Sequence, residues 1–171
     1  MALDKNRKEH GYLLGRLYAI IERSTSEPFG RQSPNDFSYA MMKPYCIFPR
    51  QIARYHGARS TRLQEQDFHD IMNELPSDNP FPNNLSLMQQ SQFCIGYDQE
   101  LAEIYKELNR RKMAKAIKLK RVELDITQAQ LAEKAGVTKK TIGSIESGDY
   151  NVSIDVLSAV MAVLGINITV E

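Results

Sequence analysis

Thr138, Lys139, Lys140, Thr141 and Ser144 place five hydrogen-bonding side chains within seven residues. Paired lysines can donate to the O6 and N7 acceptors of guanine, and hydroxyls can bond base edges or phosphate oxygens. Gln128, ten residues earlier, adds an amide that both donates and accepts. A second group is purely electrostatic. Arg110, Arg111, Lys112, Lys115, Lys118, Lys120 and Arg121 occupy twelve residues without one acid, a run suited to neutralising phosphates. Lys115, Lys118, Lys120 and Arg121 are the expected phosphate contacts, with a merely solvated helix face as the plain alternative. These groups together are suited to a polyanion with readable edges, double-stranded DNA.

Such side chains need an element to aim them, and residues 126–148 spell one out. Thr127 and Gln130 form a capping box for a helix over residues 127–135, with Leu131, Ala132 and Ala135 on its apolar face. Gly136 permits a tight turn, Val137 is a buried anchor, and Thr138 caps a second helix over 138–147 that turns Ile142 and Ile145 inward. Lys139, Lys140, Thr141, Gly143 and Ser144 are left facing out. Two short helices across such a turn form a helix-turn-helix, whose second helix enters the major groove. Before it, residues 100–124 read as a helix with an apolar stripe that shifts near Asn109, where a break is expected. After it, residues 153–164 read as an apolar helix ended by Gly165, and residues 166–170 alternate as a strand does.

The spacing of Gln128, Leu131-Ala132, Gly136-Val137, Ile142, Ile145-Glu146 and Gly148 resembles that of the Cro/cI-type (xenobiotic-response-element) helix-turn-helix repressors. That resemblance implies DNA contacts from Gln128 and from the start of the second helix. Over residues 112–171 the ending, a helix followed by a short strand, also resembles HipB-type antitoxin-repressors. It implies a homodimer paired through Ile166, Ile168 and Val170, reading a palindrome with half-sites about one helical turn apart. A strand packed on its own chain is the alternative.

The N-terminal half reads as a helical bundle. Helices are expected over 3–23, from near Pro49 to Gly57, over 61–75, and from a Ser86–Gln89 capping box onward, with a polar loop over 24–37. Tyr12-Leu13-Leu14-Gly15-Arg16-Leu17-Tyr18-Ala19, Phe48-Pro49-Arg50, Leu85-Ser86-Leu87, Gln90, Phe93 and Gly96-Tyr97 form a series in residues 10–98. It resembles the C-terminal helical region of the large subunit of type I-C CRISPR Cascade, a region also made separately as the small subunit. The resemblance implies docking on the Cascade backbone, with Arg16, Arg50 and Arg54 as candidate contacts, and Arg23, Arg59 and Arg62 behind them.

Charge separates the halves. Of 22 Lys/Arg and 21 Asp/Glu, residues 1–107 hold 12 and 14, whereas residues 108–171 hold 10 and 7. An acidic balance favours protein docking over a DNA groove for the first part. Cys46 and Cys94 are far apart, and no metal-ligand spacing, phosphate loop, nucleophile elbow or membrane span is present. The expected protein is therefore a soluble, cytoplasmic non-enzyme with no metal and no cofactor. Its expected fold is all-α, with a bundle over 1–107 and a helix-turn-helix domain over 108–171 that ends in a short dimerisation strand. Four functions fit. The leading one is an anti-CRISPR inhibitor that mimics a Cascade subunit and represses its own promoter. The others are a working small subunit, a transcription factor with an oligomerisation or sensor module, and an antitoxin with a toxin clamp.

Overall fold

In the computed structural model of the chain, residues 3–25, 36–57 and 64–166 are described, and among them eight helices and no strand are found. The chain divides into two compact units, Met1–Tyr105 and Lys106–Glu171.

The first unit is built around α1 (His10–Thr25). Residues 11–21 are all buried, so this helix has no solvent face and forms the unit's axis. It starts seven residues later than its apolar rhythm predicts. The Asp4 carboxylate accepts from the Asn6 amide at 3.0 Å, closing a local turn that competes with helix. Around α1 stand α2 (Asp36–Met42), α3 (Pro44–Gly57), α4 (Glu65–Glu74) and the first turns of α5 (Leu87–Glu123). The sequence reading missed α2, placed Asp36 and Phe37 in a loop, and began α3 too late. Asp36 is instead buried in the first turn of α2, where its carboxylate accepts from Gln51 Nε2 at 2.9 Å and from the Arg50 guanidinium at 3.0 Å.

Glycine decides how closely α1 and α5 approach. A methyl at Gly15 would run into the Phe93 carbonyl, one at Gly11 into that of Gln89, and one at Gly96 into that of Tyr12. The two backbones touch where no side chain would fit. Tyr18 then gathers an aromatic core, with ring centroids 5.9 Å from Phe37, 6.2 Å from Phe48 and 6.0 Å from both Phe93 and Tyr97. The Ser86–Gln89 capping box forms as expected. Ser86 N donates to Gln89 Oε1 at 3.0 Å, and Gln89 N donates to Ser86 Oγ at 3.3 Å.

The second unit comprises the rest of α5, α6 (Gln128–Ala135), α7 (Lys139–Ser147) and α8 (Ile154–Val163). Helix α5 continues through Asn109 without the expected break. Its Met113, Ala114 and Ile117 follow a three- and four-residue spacing toward the core, so no register change is needed there. Ile117, Leu131, Ala132, Ile142, Ile145, Leu157, Val160, Met161 and Leu164 make that core, and Val137 packs against it half-buried. Val122, Leu124 and Ile154, expected on apolar stripes, are exposed instead. Ile166 is half-buried and has no regular structure, while Ile168 and Val170 lie outside the described residues. The expected terminal strand is therefore not part of the described fold.

Candidate nucleic-acid interface

Two caps and one glycine set the geometry of α6 and α7. Thr127 Oγ1 accepts from the Gln130 amide at 3.2 Å while Gln130 Oε1 accepts from the Thr127 amide at 2.8 Å, the reciprocal box that the sequence predicts. Gly136 adopts φ 66°, ψ 31°, the left-handed region where a side chain would be strained. The Val137 amide reaches back to the Ala132 carbonyl at 2.9 Å, which satisfies the end of α6 and turns the chain into α7. Thr138 caps α7 by accepting from the Thr141 amide at 3.1 Å, and its hydroxyl also pairs with that of Thr141 at 2.9 Å. Gly148, at φ 82°, ends the helix.

With Ile142 and Ile145 fully buried, Lys139 and Lys140 stand exposed on the first turn, and Ser144 is half-exposed one turn on. Among the described residues no hydrogen bond or ion pair holds either lysine, and both ammonium groups face solvent. Two predicted contacts have other work. Thr138 is the cap just described, and Gln128 donates through Nε2 to Glu146 Oε2 at 2.8 Å.

Glu146 is the residue whose role the sequence reading did not assign. It receives Arg121 Nε at 2.5 Å and an Arg121 terminal nitrogen at 3.2 Å, while another Arg121 nitrogen donates to the Ile126 carbonyl at 2.8 Å. Burial pushes the Glu146 carboxyl up, but the bonds from Arg121 and Gln128 outweigh it and hold the carboxyl below its ordinary range. The bond to Glu146 raises the Arg121 guanidinium correspondingly. One carboxylate thereby ties α5, α6 and α7 together, which fixes the orientation of α7. Arg121 was expected on phosphates, yet its guanidinium is committed inside the unit. The signal for this was partly present, since Arg121, like Arg110 at the start of the basic run, falls on the Ala114–Ile117 side of the helix.

The other expected phosphate contacts keep a free surface to different degrees. Lys115 and Lys118 are exposed and three residues apart, so they share a face with Arg111. Lys120 bonds Glu123 at 3.0 Å and Arg111 bonds Glu107 at 2.7 Å, both at the surface where such pairs exchange readily with other partners.

The docking arginines fare unevenly. Arg16 is 3% exposed and pairs with Glu100 at 2.7 Å, so its burial removes it from any docking face. Arg50 is half-exposed beside Asp36, Arg54 is exposed, and Arg59 and Arg62 lie outside the described residues. Burial raises the Glu100 carboxyl despite Arg16, and Glu100 Oε1 has no partner among the described residues.

Among the described residues no helix is long and apolar enough to cross a membrane, and no group of three or more His, Cys, Asp or Glu could hold a metal ion.

Comparison with known proteins agrees with this division. Residues 117–170 match the family described as Helix-turn-helix (HTH_3). An immunity repressor protein of Bacillus phage phi105 is 43% identical over 53 residues, 31% of this chain and 37% of the repressor. The chain thus spans little more than a third of that relative's length. Residues 1–105 match the family described as CRISPR-associated protein (Cas_Csd1), which covers well over half of the chain. On that match the chain belongs to the Cas_Csd1 family of CRISPR-associated proteins, and a helix-turn-helix unit of repressor type follows its family domain.

Proposed function

We propose that the second unit binds an operator in double-stranded DNA through α7 and that the first unit docks on the backbone of type I-C Cascade. The chain then acts as an anti-CRISPR inhibitor that represses its own transcription. The observation that carries this reading is the joining, in one chain, of a Cas_Csd1 domain and a repressor-type helix-turn-helix whose leading lysines are exposed. Likeness to a phage immunity repressor supports an origin on a mobile element, where an inhibitor of CRISPR immunity has a use. A domain with the family's docking face can occupy a subunit's place without completing the complex. Activity on DNA and on Cascade puts the protein in the cytoplasm. The alternation over residues 166–170 supports a homodimer and hence a palindromic operator.

The test is capture of purified type I-C Cascade backbone by this chain, with and without native small subunit as competitor. Capture that the native subunit abolishes is expected, together with loss of target cleavage. If capture occurs but cleavage is supported, the chain is a working small subunit. No capture would leave a DNA-binding regulator alone.

A further inference from the structure

Burial withdraws Arg16 from docking, and the first unit carries a conspicuous apolar surface besides the exposed arginines. Leu87 is 82% exposed, Met88 73% and Tyr45 62%, with Tyr39, Met42 and Ile95 also exposed. Met42, Tyr45, Leu87, Met88 and Ile95 border one seam, whereas Tyr39 stands on the far side of α2 from Met41. Met41 Sδ lies 3.5 Å from Cys94 Sγ, which sets α2 beside α5, and the Tyr45 amide donates to the Pro82 carbonyl at 3.2 Å, which sets the start of α3 beside the approach to α5. On α5 itself, Leu87, Ser91 and Ile95 follow a four-residue spacing along one outward face.

None of these side chains serves the core, because α5 sends Phe93 and Gly96 inward at the same level. The surroundings are as telling as the residues. Residues 37–42 and 79–97 contain no Asp, Glu, Lys or Arg, and the exposed Lys43, between Met42 and Tyr45, is the charge nearest the seam in sequence. Depletion of charge with enrichment of aromatic residues and methionine marks the centre of a protein–protein interface. A nucleic-acid site would need the opposite, cations placed along a backbone path.

The geometry points to this seam, formed by α2, the start of α3 and the first turns of α5, as the face by which the first unit docks. Its occupant is an uncharged, apolar protein surface, which on the docking reading above belongs to the Cascade backbone. Arg50, paired with Asp36 of α2, lies nearer the seam than Arg54, which is on the side of α3 away from Tyr45, and supplies orientation rather than the bulk of affinity.

Leu87→Lys and Tyr45→Lys test this on two different elements. Both side chains are exposed, so melting by circular dichroism should match the parent chain. In capture of purified type I-C Cascade backbone, each substitution is expected to weaken binding at least about tenfold, while Asn73→Lys on the exposed face of α4 leaves it unchanged. If the parent is captured and both variants are captured equally, the seam is not the docking face, although the docking reading stands. If the parent itself is not captured, that reading fails and the inference with it. Conversion of a dimer to a monomer by Leu87→Lys in light scattering would also overturn it, by assigning the face to a second copy of this chain.

Discussion

Two buried carboxylates carry opposite signs. Glu146 sits below its ordinary range because Arg121 and Gln128 bond its charged form. A depressed carboxyl stabilises the fold above its unfolded-state value, and that stability is lost as pH falls through the folded-state value. The second unit is therefore expected to weaken on acidification below about pH 4.5. Glu146→Gln should lower stability at neutral pH by about 1–2 kcal/mol and flatten this acid dependence. Thermal melts of both proteins from about pH 7 to about pH 3 check the claim, and parallel curves would refute it. Glu100 is raised by burial, so its ionisation opposes folding as pH rises, and Arg16 is what makes that charge tolerable. Arg16→Met alone should cost about 3–5 kcal/mol, most of it recovered in Arg16→Met/Glu100→Leu. Urea unfolding of the three chains measures this, and a single substitution without effect would show that Glu100 already folds neutral. Neither pairing was legible in the sequence. Arg16 and Glu100 are 84 residues apart and Arg121 and Glu146 are 25 apart, and no local pattern distinguishes a charge destined for a partner from one destined for solvent.

Helices were more legible where their ends are marked by local chemistry. The capping boxes at Ser86 and Thr127, the cap at Thr138 and the turn at left-handed Gly136 form between residues at most five apart in sequence, so the helix-turn-helix was readable nearly residue by residue. Helix α2 was not, because what holds it is the long-range bond set of Asp36 with Arg50 and Gln51. Operator recognition belongs to this scale. Lys139→Ala or Lys140→Ala should cost about 1–3 kcal/mol at one base pair and relax specificity there. Lys115→Ala or Lys118→Ala should instead weaken all sequences and reduce the salt slope by about one each. Gel-shift titrations at several salt concentrations, on DNA selected from a random pool, separate the two classes. Glycine offers a second comparison between elements. Gly143→Ala, within α7 and meeting nothing within 4 Å, should stabilise by about 0.5–1 kcal/mol. Gly15→Ala, facing the Phe93 carbonyl, should destabilise by at least about 1–3 kcal/mol. Equal signs in a denaturant titration would mean that α1 and α5 are farther apart than described.

For the whole molecule, two units with separate partners predict separable defects. Ile168→Lys is expected to leave Cascade capture intact while giving monomers in light scattering and weaker operator binding, and a dimer that survives the substitution would exclude pairing through 166–170. The resemblance to a Cascade subunit was visible in ordered short motifs, yet the structure changes what those motifs mean. Gly15 and Gly96 are in that series because two backbones meet there, and Arg16 is in it because it neutralises a buried acid. The meeting of α1 with α5 also has a consequence for how the chain is made. Helix α1 is buried on every side over residues 11–21, and the segment its glycines touch, Gln89 to Tyr97, begins more than sixty residues after its end. During synthesis α2, α3 and α4 can cover part of α1 as they emerge, but its glycine face stays open until α5 follows, several seconds after α1 at about 5–20 residues per second. Nascent chains arrested before Tyr97 clears the exit tunnel should stay protease-sensitive, and the same chains arrested thirty or more residues later should not.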